Sequence, residues 1–167
     1  MMKVLCSLFG LLLVNALSLG QTKDGFKGCA WGTSFEPMKS RFHLTLDQND
    51  YHGKKKYLSN VKDLGGIPVT CYFYFYKDKF YTVRIDTRGK DHSVALLNMW
   101  QELHGHGFQQ DPAEEFYMWE KVDNDTKAVY SKRSPQKTTS LTISSVSIQD
   151  RLDQDEKKMK RKAKSDF

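Results

Sequence analysis

The strongest strand signal along the chain lies between Val69 and Asp86, where Val69 to Tyr76 is almost wholly apolar or aromatic. Val69, Cys71, Phe73 and Phe75 share one parity; Tyr72, Tyr74 and Tyr76 share the other. Lys77-Asp78 interrupts the run. Tyr81, Val83 and Ile85 then alternate with Phe80, Thr82, Arg84 and Asp86. A period of two in aromatic and β-branched residues, broken by a short polar turn, predicts a β-hairpin. Successive side chains of a strand leave opposite faces. Val69, Cys71, Phe73 and Phe75 are therefore expected to face the core with Tyr81, Val83 and Ile85. The tyrosines and Phe80 are expected on the other face.

A helical period replaces the alternation from Ser93 to Leu103, where Val94, Leu97, Trp100 and Leu103 or Leu96 recur on one side. Asp91 or Ser93 would cap this helix and Gly105 would end it. A shorter helix is predicted over Phe35–Phe42, opened by Thr33 or Ser34 and burying Phe35, Met38 and Phe42. Extended segments are expected at 26–31, 44–46, 54–58 (as an edge strand), 116–121, 128–131 and 140–148. The class that follows is α+β. It is a twisted antiparallel sheet of about five to seven strands packed by one main amphipathic helix, with a short N-terminal helix and a charged C-terminal helix or tail.

The two ends break the pattern. Lys3 precedes an apolar run from Val4 to Leu19 that closes on small residues. The run is short for a membrane span, which needs roughly 20 apolar residues, and it reads as an export signal. Cleavage is expected before Leu19 or before Gln21. Cys6 lies inside the run, so no cysteine stands at the cleavage region to take a lipid. At the other end Asp150, Asp153, Asp155 and Glu156 precede Lys157, Lys158, Lys160, Arg161, Lys162 and Lys164. Acids before bases suit the helix dipole. The chain therefore divides into a signal at 1–20, one α+β domain at 21–148 and a charged tail at 149–167. No membrane span is expected once the signal is removed, and the compartment is the periplasm or the exterior.

Composition adds less. The chain has 167 residues, 13% of them aromatic, and a net charge of +6. That charge permits an anionic partner without requiring one. Cys29 and Cys71 remain after export. In an oxidising compartment they form a candidate disulfide; otherwise they are two separate buried thiols. No C-x-x-C, nucleophile elbow or phosphate-gripping glycine loop is present, and no cofactor is indicated.

Three sites compete. Tyr72, Tyr74, Tyr76, Phe80 and Tyr117 could form an aromatic contact surface for an envelope protein or polymer, because tyrosine is favoured at interfaces. His92, His104 and His106 are the candidate metal ligands of a small metal-assisted hydrolase, although their spacing matches no familiar zinc pattern. The basic tail could hold a polyanion or the envelope surface. Nucleic acid is not expected as a partner, and the chain is expected to be a monomer.

The order of segments resembles a group of small exported bacterial proteins with no established activity. The likeness starts with Phe26-Lys-Gly-Cys-Ala-Trp-Gly-Thr33 and continues through the tyrosine-rich hairpin from Cys71 to Ile85. It then takes in the helix from Ala95 to Gly105, the Phe116–Trp119 strand and a last strand at Leu141 to Val146. The resemblance implies a periplasmic α+β protein and carries over no activity and no site residues; a binding or structural role is what the residues themselves favour. The cysteine pair, His104-Gly-His106 and the charged tail depart from it.

Overall fold

The computed structural model describes residues 25–49, 53–109, 115–133 and 138–165. The expected leader, its cleavage points and Cys6 lie outside them. The described chain runs β1 (Gly25–Phe26), β2 (Cys29–Ala30), α1 (Phe35–Phe42), β3 (Thr45–Asn49), β4 (Lys54–Leu58), β5 (Asp63–Leu64) and β6 (Ile67–Pro68). The hairpin β7 (Thr70–Tyr76) and β8 (Lys79–Arg88) and the helix α2 (Lys90–His104) come next. Then follow β9 (Phe108–Gln109), β10 (Phe116–Trp119), β11 (Thr126–Arg133), β12 (Thr138–Ser145) and α3 (Val146–Ser165).

Eight strands form one sheet in the order β3-β4-β7-β8-β12-β11-β10-β9, and every pairing is antiparallel. The α+β class is therefore as the patterning implies. Two ribbons, β1-β2 and β5-β6, stand beside the sheet. The edge is β3, so β4, expected there, lies one strand inside and pairs with β7 along its length.

The β7–β8 hairpin turns on Lys77 and Asp78, both with positive φ. That is the backbone a two-residue hairpin loop demands, because its twist matches that of the strands. Pairing slips by one residue between Tyr74 and Phe75, leaving Tyr81 as a bulge. The slip corrects the face assignment. Phe80 turns into the core at 0% exposure, and Tyr81 moves to the opposite face.

One core therefore lies on the α1–α2 side of the sheet. Phe73, Phe75, Phe80, Val83, Ile85, Leu141 and Ile143 meet Met38 and Phe42 of α1 and Leu96 and Trp100 of α2. Phe35 stacks on Tyr57 at 4.3 Å, and Phe42 lies 4.7 Å from Phe73. On α2 the buried stripe is Ser93, Leu96 and Trp100, whereas Val94 and Leu103 point outward. The helix also starts earlier than expected, at Lys90 behind Gly89, with no side-chain cap. Ser93 faces inward instead and bonds Gly89 O and Thr139 Oγ1. Gly105 ends the helix, and Gly107 leaves room for the Trp119 indole, which a Cβ there would meet at 2.7 Å.

A second, smaller core lies across the sheet, where Tyr76 and Tyr81 are covered by Ile148 and Leu152 of α3. The alternation from Ser140 to Ile148 predicts a strand to its end, but the strand stops at Ser145. Ser145 Oγ accepts from Ile148 N–H at 3.2 Å. Asp125 O accepts from Val146 N–H at 2.8 Å, and Asp125 Oδ1 accepts from Ser147 N–H at 2.7 Å. Three donors of the first helical turn are thereby satisfied. This supply of acceptors turns the chain into a helix where its pattern still reads as a strand.

Candidate functional site

The α3 helix covers only one end of its face of the sheet, and among the described residues no other element packs on the remainder, the open face. Strand register places Leu58, Tyr72, Arg84, Thr142, Val129 and Met118 side by side across six adjacent strands. Each of them is half-buried. Phe108, at 66% exposure, continues the row onto β9.

Arg84 sits at the middle of the row. Its Nε donates to Asp86 Oδ1 at 2.7 Å and its Nη2 to Asp86 Oδ2 at 2.8 Å. Ser140 Oγ, from the neighbouring strand, also donates to Asp86 Oδ1 at 2.8 Å. The carboxylate beside it pushes the Arg84 guanidinium further up from an already high value. Asp86 is thus engaged through both oxygens, an arrangement that orients the guanidinium and leaves no idle general base. Beside this array Lys56 pairs with Asp47 at 2.7 Å and lies over the Tyr72 ring at 4.0 Å. Burial pushes the Tyr74 hydroxyl up, so it stays a neutral donor through the physiological range.

The open face leads into a cleft of about 540 Å³ at the far end of the sheet. Thr70, Tyr72 and Asp86 form part of its wall, with Lys62, Arg88 and His92 around them. His92 Nδ1 lies 3.0 Å from Arg88 O. Cations thus outnumber acids around the cleft.

The expected site residues separate into four places. Tyr72 and Tyr74 lie on the open face. Tyr76 is on the same face but under α3, where its hydroxyl donates to Asp155 Oδ2 at 2.7 Å. Phe80 is in the main core. Tyr117 is on the opposite face, against Tyr130 at 5.9 Å and Trp119 at 6.3 Å. The five aromatics do not make one patch.

The histidines do not converge either. His92 and His104 are at opposite ends of α2, about 18 Å apart at 1.5 Å per residue. The His104 ring lies 4.0 Å from that of Trp100, tilted by 39°, and burial pushes its pKa down. His106 lies just beyond the helix and is exposed. Among the described residues no three His, Cys, Asp or Glu side chains gather to hold a metal. Cys29 and Cys71 are both buried in the main core as free thiols. Burial pushes the Cys71 thiol up to about 12.

Sequence reading missed the Arg84–Asp86–Ser140 array. Arg84 and Asp86 share a parity within one strand, which is legible, but Ser140 arrives from a strand more than fifty positions away.

No described helix is long and apolar enough to cross a membrane. Comparison of the chain with protein-family models, with curated proteins and with solved structures returned no match.

Proposed function

We propose that this is an exported protein of the bacterial envelope with a binding role, and that its open sheet face receives an envelope protein or polymer. The row from Leu58 through Tyr72, Arg84, Thr142 and Val129 to Met118 carries the reading. It offers the half-buried Tyr72, with Tyr74 two positions along the same strand face, an oriented guanidinium and an apolar flank on one continuous surface. Interfaces favour this mixture, in which Tyr and Arg supply area and directed hydrogen bonds at low entropic cost. The apolar run at 4–19 supports the export part of the reading.

Isotope-labelled protein titrated with solubilised envelope fractions tests the proposal. Amide shifts should move at Tyr72, Arg84 and Val129, and Val129→Glu should abolish them while leaving the melting temperature unchanged. Shifts confined to other surfaces, with this row silent, would reject it.

A further inference from the structure

Residues 157–164 of α3 carry six bases within eight positions, Lys157, Lys158, Lys160, Arg161, Lys162 and Lys164, and no acid. All six are exposed, and none forms an ion pair with another described residue. At about 100° per residue they cover an arc of about 200°. Met159, at 38% exposure, and Ala163 occupy the remaining arc, in line with Ile148 and Leu152, which dock on the sheet. The bases therefore look away from the domain. Upstream the helix is pinned, by Lys54 to Glu156 at 2.7 Å and by Lys77 and Tyr76 to Asp155, each at 2.7 Å.

A solvated helix end gains from bases because they complement the dipole. Here, however, Lys157–Arg161, Lys158–Lys162 and Lys160–Lys164 are like-charged i,i+4 pairs, each of which destabilises an isolated helix. An anionic counterpart would remove that repulsion. The run contains no aromatic residue on which a nucleic-acid base could stack. A convex arc of spread charges meets a plane of phosphates over its whole width. Met159 is its lone large apolar residue, too little for insertion.

We propose that α3 docks the domain onto an anionic lipid bilayer through this arc, without entering the bilayer. The inference does not depend on the open sheet face.

The test uses the chain expressed with its own leader and purified as the cell processes it. Co-sedimentation is measured with vesicles of phosphatidylcholine alone and with 30% phosphatidylglycerol, across a salt series. Binding should require the anionic lipid and fall steeply with salt. Each neutralised base should weaken it about fivefold. Lys158→Gln with Arg161→Gln and Lys162→Gln should therefore weaken it about a hundredfold. Lys157→Gln with Lys160→Gln and Lys164→Gln should do the same, and neither triple loses folded structure, because each relieves repulsion. Lys55→Gln with Lys90→Gln and Lys121→Gln, the same charge removed elsewhere, should change it little. No binding to anionic vesicles, equal loss in the control triple, or tighter retention on duplex DNA or an anionic polysaccharide at matched salt would each overturn the proposal.

Discussion

Asp125→Ala should undo the start of α3. In the structure one carboxylate oxygen accepts from Ser147 N–H at 2.7 Å, and the other accepts from Ser145 Oγ at 2.7 Å and Ser147 Oγ at 3.0 Å. Losing the cap to the helix backbone costs about 1 kcal/mol. Ser145 is fully buried, so its hydroxyl proton loses its acceptor in a place water does not reach. An unmet buried donor costs about 1–3 kcal/mol. Ser145 Oγ keeps the bond it accepts from Ile148 N–H, which places the second cost at the lower end of that range. The expected loss is about 2–3 kcal/mol. Urea unfolding reads the total, and amide exchange locates it: protection should fall at Ser147 to Leu152 first. Asp125→Asn keeps an acceptor and should lose about half as much. A loss under about 0.5 kcal/mol for the alanine variant, or unchanged protection in α3, would refute the view that this carboxylate starts the helix.

Other outcomes follow from single groups. Cys71, with its pKa near 12, should be about 10⁻⁴ thiolate at pH 8 and resist alkylation until the protein unfolds. Mass spectrometry after denaturation without reductant should then count Cys29 and Cys71 both labelled, whereas no label would mean that they are bridged. Asp155 is held below its ordinary value of 3.8, first by the Lys77 hydrogen bond and then by that of Tyr76. A carboxylate depressed by folding stabilises above its unfolded pKa, and the gain is lost as pH falls through the folded value. Exchange protection at the Tyr76–α3 contact should therefore weaken below about pH 4 and less so in Asp155→Asn, already uncharged. Trp100 Nε1 is buried with no partner among the described residues. Trp100→Phe removes that donor and should cost under about 1.5 kcal/mol by thermal melting, while Trp100→Ala should cost about 3–5 kcal/mol.

Much of this protein was decided by local pattern. The hairpin at 69–86, the two helices on the core side and the α+β class follow from residue spacing, because strand and helix periods dictate which side chains share a face. The charged run that ends α3 is likewise visible in the linear order of acids and bases. Other features needed the third dimension. The bulge at Tyr81 sends Phe80 inward, and no alternation within one strand announces a slip against its partner. The start of α3 depends on Asp125, twenty-one positions upstream of Val146. The open face, too, is defined only by what α3 leaves uncovered. Periodicity fixes the faces of an element, whereas register, distant caps and coverage are relations between elements, and they exist only once the chain has closed on itself.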